Sequence, residues 1–287
     1  MKQPDKWRET MDPFTLTLKE YELREILGYP HAGNDVFYVN GIYKDGKAKK
    51  AFLKVERQKT ADIKREVSII NQLCFSFMPK LLDYSIDNKP RYLLTEESKG
   101  ERLSYILGNN ENLESCKYMD LYGELLAKIH NVKIDCEPVK PRDFTLDNKF
   151  YEKHDLGYIS KYLNTIKRND SYCFIHGDCH YANILWDNNQ VSCLLDFELS
   201  GYGSREYDLA WALALRPGQK FLKTLIEYKI FLKSYRKYHT YCQKTLNYYL
   251  ILFQVFFYKI ALEYESDVEL KERINLINDI INTTSMK

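Results

Sequence analysis

The stretch HGDCHYANILW, residues 176 to 186, constrains this chain more tightly than any other. It sets two histidines, an aspartate, a cysteine and an asparagine within eight positions, after the apolar run YCFI at 172–175 and before VSCLLDF at 191–197. Short β-like runs on either side of a polar, glycine-containing segment predict a tight loop that feeds a hairpin. Three readings compete for the loop: a metal site, a general-base loop, or a polar turn between buried strands.

The metal reading rests on His176, Cys179 and His180. A structural zinc site takes four ligands in paired spacings, and no second Cys/His pair of that kind occurs in the chain. The general-base reading uses other atoms. In the kinase catalytic loop an aspartate accepts the proton of the attacking hydroxyl and an asparagine five positions later holds Mg²⁺. Asp178 and Asn183 have that spacing, and Asp196 in LLDF stands where the second magnesium carboxylate is required, after the next strand-like run. Mg²⁺ takes hard oxygen ligands and keeps several waters, so an amide oxygen, a carboxylate and nucleotide phosphates suffice without a protein cage.

The rest of such a machine can be sought upstream. DVFYVNGIYKDGKAKKAFLKV at 35–55 reads as a hairpin turning at Asp45-Gly46. TADIKREVSIINQLCF at 60–75 then switches to helical spacing, with Ile63, Val67, Ile70 and Leu73 on one face and Thr60 as the cap. Lys54 in AFLKV occupies the position of the phosphate-binding lysine, and Glu66, 12 positions later on the helix, that of its carboxylate anchor. Two further strand candidates flank DNKP in 78–98, after which TEES, including Glu96 and Ser98, offers backbone groups to a purine base. There is no GxGxxG and no GxxxxGK[ST]. The segment LGYPHAGNDVFYV at 27–39, with Gly28 and Gly33, is assigned the turn over the phosphates.

Beyond Gly100 the patterns are mostly helical: LSYIL, CKYMDLYGELLAKIH at 116–130, FYEKHDLGYISKYLNTIKR at 150–168, and everything after 208. These patterns predict an α+β fold of two lobes: a β-rich nucleotide-binding lobe over 1–97 and a larger, mostly helical catalytic and acceptor-binding lobe over 98–287. YYLILFQVFFY at 248–258 is too short for a membrane span, which needs about 20 apolar residues, and reads as a core helix. Lys+Arg at 42 against Asp+Glu at 40 gives no general attraction to nucleic acid or to a membrane surface. Seven cysteines with no CxxC, and an opening MKQPDKWRET that is not an apolar signal, point to a reducing cytoplasm.

Together these residues resemble the aminoglycoside phosphotransferase and choline kinase-like family, a branch of the protein-kinase-like fold. HGDCHYANILW is similar to its HGDxHxxNxL loop, LLDFE to its metal motif, GYGSREYDLAW to its GxxxxDLA continuation, and LYGELLAKIH to the helix that precedes the loop. The resemblance implies ATP as phosphoryl donor, with GTP left open, and Mg²⁺. It implies Asp178 as base, Asn183 and Asp196 as metal ligands, Lys54 with Glu66 as the phosphate-positioning pair, and His176 and Asp208 as supports of the loop.

The acceptor has a separate argument. Only eleven residues separate Asp196 from Asp208 and no APE motif follows, which leaves no segment for docking a peptide. A small hydroxyl compound is expected instead: an aminoglycoside or other antibiotic, with choline, a sugar or another small metabolite as alternatives. Candidate acceptor contacts are Glu198, Tyr202, Glu206 and Glu263. The pI near 8.0 weighs against a polycationic acceptor. A nucleotide-binding pseudokinase is the reading from another class, and the oligomeric state, monomer or homodimer, stays open.

Overall fold

The computed structural model describes residues 6, 8–30, 33–57, 61–108, 114–140 and 142–285. They form an α+β architecture of two compact units. The first comprises Met1–Gly100, Leu185–Asp187 and Ser192–Leu199, and the second Glu101–Ile184, Asn188–Val191 and Ser200–Lys287. The division therefore does not follow a single cut in the chain, because a piece of the hairpin after the 176–183 loop belongs with the first unit.

The first unit is built on β1 (Tyr21–Gly28), β2 (Asp35–Tyr43), β3 (Ala48–Val55), β4 (Leu81–Ser85) and β5 (Tyr92–Glu96), joined antiparallel in the order β1-β2-β3-β5-β4. Alternation in β2 and β3 turns Phe37, Val39, Ala51, Leu53 and Val55 to one face, where they form a core with Leu82, Tyr92 and Leu94. Each such large side chain contributes about 1.5–3 kcal/mol on full burial. The same alternation sends Lys54 to the other face, opposite Leu93 in register. That face is covered by α1 (Ile63–Gln72), whose Ile63 and Val67 pack on Leu93.

Two local features differ from expectation. β1 escapes the sequence pattern because Glu22, Arg24 and Glu25 interrupt its apolar positions, and Gly28 therefore ends a strand instead of opening a loop. Thr60 lies outside the described residues; α1 is capped by Asp62, whose carboxylate accepts from the Arg65 backbone N–H at 3.1 Å.

The second unit opens with β6 (Glu101–Arg102) and α2 (Leu103–Leu107), followed by α3 (Cys116–His130), α4 (Asn148–Lys153) and α5 (Gly157–Thr165). The single helix expected over 150–168 is two helices, broken at Asp155, which takes a φ of 56°. Along the chain then come β7 (Tyr172–Ile175), a 3-10 turn at Tyr181–Asn183, β8 (Ile184–Asp187) and β9 (Gln190–Leu194), most of whose residues belong to the first unit, and β10 (Gly201–Ser204). Asn188 and Asn189 at φ 49° and 60° make the two-residue turn of the β8-β9 hairpin, which needs positive φ at both centres. β10, which the sequence pattern does not announce, pairs antiparallel with β7.

Helices α6 (Arg205–Leu213), α7 (Leu225–Tyr235), α8 (Gln243–Ala261) and α9 (Asp267–Ser285) complete the unit. α8 carries the long apolar run and is buried through most of its length, with Gln254 Nε2 donating to the Tyr228 hydroxyl at 2.8 Å. No helix among the described residues is long and apolar enough to cross a membrane. α3 and α7 approach so closely that a Cβ on Gly123 would run into the carbonyl oxygen of Phe231. That approach lets Tyr122 pack edge-on against Phe231 at 5.0 Å and send its hydroxyl to the carbonyls of Cys179 and Ala212, at 3.2 and 3.3 Å. A buried helix thus reaches the catalytic-loop candidate by its backbone.

Candidate active site

In the first unit, strand alternation and the turn of α1 bring Lys54 Nζ to 2.8 Å from Glu66 Oε2. The returning segment after β9 adds Asp196 at 2.7 Å and Glu198 at 3.0 Å from the same ammonium. Asp196 lies two residues beyond β9 with a φ of 68°, an unfavourable conformation for a non-glycine residue, which turns its carboxylate back on Lys54. The Phe197 backbone N–H donates to Glu66 Oε1 at 3.2 Å, tying that segment to α1.

One ammonium faces three carboxylates here, so the cluster carries surplus negative charge. This explains both titration directions. Burial opposes charge on Lys54, but Glu66, Asp196 and Glu198 overcome it and hold the amine well above its ordinary range. Burial of Glu66, reinforced by Asp196 and Glu198 against the pull of Lys54, pushes its carboxyl up to about 7.

In the second unit the 176–183 loop is fixed from below by Asp208 on α6. Its fully buried carboxylate accepts from the backbone N–H groups of His176 and Gly177, each at 2.9 Å. His130, at the end of α3, donates from Nε2 to the same carboxylate at 3.1 Å and accepts at Nδ1 from the Tyr235 hydroxyl at 2.7 Å. Burial drives the His130 pKa below its ordinary value, consistent with a neutral ring in this tautomer. His176, fully buried, accepts from the Asp178 backbone N–H at Nδ1 (3.3 Å), and its carbonyl takes the Ser200 hydroxyl at 2.8 Å.

Above this scaffold the Asp178 carboxylate is held by both oxygens. Trp211 Nε1 donates to Oδ1 at 2.7 Å and Asn183 Nδ2 to Oδ2 at 3.2 Å. Asn183 also donates to the Asp178 carbonyl at 3.0 Å, so the amide nitrogen faces the loop and the amide oxygen faces away from it. Arg142 Nη1 stands 3.7 Å from Oδ1 and His180 Nε2 3.7 Å from Oδ2. Arg142 is itself anchored to the Tyr207 hydroxyl (2.9 Å) and to the Gly177 carbonyl.

The zinc reading finds no geometry. Cys179 is fully buried, and burial holds its thiol well above its ordinary range, against the thiolate a metal requires. His180 is pushed well below its ordinary value, first by burial and then by Arg216, His176, Arg102 and Arg142. Among the described residues, the cluster of metal-binding side chains is instead Glu66, Asp196 and Glu198, whose ligand atoms lie within 4.8 Å of one another. These hard carboxylate oxygens, and the outward amide oxygen of Asn183, suit Mg²⁺ chemically.

The remaining expected site residues fall in different places. Gly33 takes a φ of 91°, which suits the turn assigned to it, though His31 and Ala32 of that segment lie outside the described residues. Arg8 donates to the carbonyls of Gly33 and Asn34, both at 2.9 Å. Glu96 is committed to the sheet: its N–H goes to Lys80 and its carboxylate pairs with Lys49 and Lys80. Ser98 lies beyond β5, with its hydroxyl on Cys193 Sγ at 3.3 Å.

Glu198 sits in the lysine cluster, where it also accepts from Asn34 Nδ2 at 3.0 Å. Glu206 is fully buried, its two oxygens taken by the backbone N–H groups of Ser171 and Cys242, so no ligand reaches it. Tyr202 is partly exposed on β10, and Glu263 is exposed just past α8. Trp211 and Arg142 escape the sequence reading. Trp211 carried a signal, standing three residues after Asp208 and so on the same side of α6. Arg142 reaches Asp178 from an irregular segment and carried none.

No curated protein sequence gives a significant match. Among solved structures, spectinomycin phosphotransferase in complex with ADP and spectinomycin is similar at a TM-score of 0.55 and 14% identity, over 92% of this chain and 90% of that one. The streptomycin–ATP–APH(2'')-IIa ternary complex gives a TM-score of 0.56 at 18% identity, over 90% and 93% of the two chains. Plasmodium vivax ethanolamine kinase gives 0.52 at 13% identity, over 91% and 82%. At these identities the likeness is one of fold. The profile of the phosphotransferase enzyme family, APH, matches residues 26–239, well over half of the chain and all of both residue clusters around Lys54 and Asp178, so this chain belongs to the phosphotransferase enzyme family.

Proposed function

We propose that the enzyme transfers the γ-phosphoryl group of ATP, bound with Mg²⁺, to a hydroxyl of a small molecule. The observation that carries this reading is the state of Asp178: a carboxylate held at both oxygens by neutral N–H donors on a loop braced from a buried aspartate. Such a group is oriented to receive a proton. In the transfer the acceptor oxygen bonds to the γ-phosphorus, the bond from that phosphorus to the β,γ-bridging oxygen breaks, and the hydroxyl proton passes to Asp178. ADP is the other product.

Lys54, kept protonated by its three carboxylates, carries the charge for the phosphates, and Glu66 fixes where it points. Asn183 and Asp196, with Glu198 alongside, would hold Mg²⁺, which supplies charge neutralisation on the phosphates when bound. The structures of similar fold, one with ADP and spectinomycin, one with ATP and streptomycin, and one an ethanolamine kinase, support ATP as donor and a small acceptor.

The test is a coupled ADP-release screen over hydroxylated antibiotics, choline, ethanolamine and simple sugars, with Asp178→Asn beside the wild type. Loss of a general base costs about 10²–10⁴-fold, and the expected result is a loss in that range in kcat with ATP affinity retained. Equal turnover by the variant would remove Asp178 from the chemistry. Binding of ATP without turnover of any acceptor would favour a pseudokinase.

A further inference from the structure

The ring that positions Asp178 is itself flanked by cations. The guanidinium of Arg142 lies 4.3 Å from the Trp211 ring centre and that of Arg216 lies 4.9 Å from it. Stacking on an indole keeps a guanidinium plane oriented while leaving its edge available for hydrogen bonds. A guanidinium has five N–H donors. Arg142 donates to the Tyr207 hydroxyl and the Gly177 carbonyl, and Arg216 to the carbonyls of Ala214 and Trp211.

The two cations share one carboxylate, that of Asp178. Among the described residues Asp178 is the carboxylate within 4.0 Å of Arg142, and none lies that close to Arg216. The acidic groups of this unit that could have balanced them are sealed into the scaffold: Asp208 and Glu206 are fully buried under backbone N–H groups.

Arg216 is also held in place at considerable structural cost. Arg273 is almost completely buried, and its guanidinium donates to the carbonyls of Leu215 (2.6 Å) and Arg216 (2.7 Å). Its counter-ion Glu265 accepts the Gly218 backbone N–H at 2.8 Å. A buried ion pair is a poor way to gain stability alone. Here it fixes the backbone of the short segment 215–218 that presents Arg216 to Trp211.

We propose that the acceptor carries a carboxylate or phosphate close to the hydroxyl that Asp178 deprotonates, gripped by Arg142 and Arg216, and that it is not a polycation. The proposal rests on the reading of Asp178 as the base of a small-molecule kinase. A polyamine brought here meets two guanidinium groups that share the one carboxylate of Asp178, whereas an oxyanion finds two oriented forks.

A matched series separates charge from shape: glucose, glucosamine, gluconate and a hexose phosphate, with kanamycin as the polycation, each assayed for ADP release by the full-length enzyme. The expected result is a higher kcat/KM for gluconate or the hexose phosphate than for glucose, with glucosamine and kanamycin poorest. The two oxyanion arms distinguish carboxylate from phosphate. In Arg216→Gln the ratio of anionic to neutral kcat/KM falls about tenfold or more, the value of one charge-assisted hydrogen bond, and Arg216→Lys restores part of it. Best turnover with kanamycin or glucosamine, or an equal loss on glucose and gluconate in Arg216→Gln, overturns the proposal.

A thermal-shift arm decides the case in which no sugar turns over. With ADP present, gluconate or the hexose phosphate raises the wild-type melting temperature and does not raise that of Arg216→Gln. A rise with kanamycin alone, or with none of the series, overturns the proposal as well. Failure to bind ATP at all would sink the kinase reading itself, a result distinct from turnover restricted to cations.

Discussion

Replacing Trp211 by phenylalanine removes one N–H and keeps an aromatic ring beside Asp178. The bond lost is the 2.7 Å donation to Asp178 Oδ1, from a side chain that is only 6% exposed. A hydrogen bond to a charged partner is worth about 1.5–3 kcal/mol. If that interaction holds the carboxylate in its proton-accepting orientation through the transition state, kcat falls about ten- to a hundredfold, at about 1.4 kcal/mol per factor of ten. The lysine cluster lies on other elements, so KM for ATP stays near the wild-type value. The smaller ring also leaves space among Phe144, Phe253 and Phe257, which pack on Trp211 at 5.1–5.6 Å. That packing loss lowers the melting temperature and must be measured separately. Steady-state kinetics at saturating ATP, with a thermal melt on the same sample, resolves the two effects. A folded Trp211→Phe enzyme with kcat within twofold of wild type, or a change confined to KM for ATP, would refute the positioning role.

Asp208→Ala leaves two buried backbone N–H groups and the Nε2–H of His130 without their acceptor. At about 1–3 kcal/mol per unsatisfied group, the chain loses roughly 3 kcal/mol or more of stability, read by urea or thermal unfolding; an unchanged midpoint would contradict the scaffold role. Glu66 gives a pH signature. With its folded pKa pushed up from 4.5 to about 7, it keeps a proton that the unfolded chain has released, so its contribution is full below the unfolded value and is lost as pH rises through the folded one. Relative to Glu66→Gln, wild-type melting temperature therefore declines between about pH 5 and 8, and a constant difference across that window would show that the carboxyl titrates normally.

What could be read in the sequence was whatever a contiguous segment dictates. The turn at Asp45-Gly46, α3 over residues 116–130 and the loop around Asp178 follow from residue types and spacing within one stretch. So does the meeting of Lys54 with Glu66, because strand alternation and the amphipathic face of α1 leave the lysine one side on which to emerge. What was not legible depends on partners distant in the chain. β10, with glycine at 201 and 203, is a strand because β7 pairs with it. Glu206 looks like a surface acid next to an aromatic, yet its surroundings bury it as an acceptor of backbone N–H groups. Arg142 gains its place only when the loop, Tyr207 and Trp211 are folded around it.

The interleaving of the two units sets an order of events during synthesis. The five-stranded sheet of the first unit is complete when Gly100 has been made, but its segment Ser192–Leu199 follows only after most of the loop-bearing part of the second unit. At about 5–20 residues per second, roughly 5–20 s separate the two. Through that interval Lys54 has Glu66 but lacks Asp196 and Glu198, and Asn34 lacks the Glu198 oxygen it later bonds. A nascent chain arrested or cleaved there holds the five-stranded sheet with half of its charged cluster. The carboxylate assigned to the metal is among the last pieces to reach it.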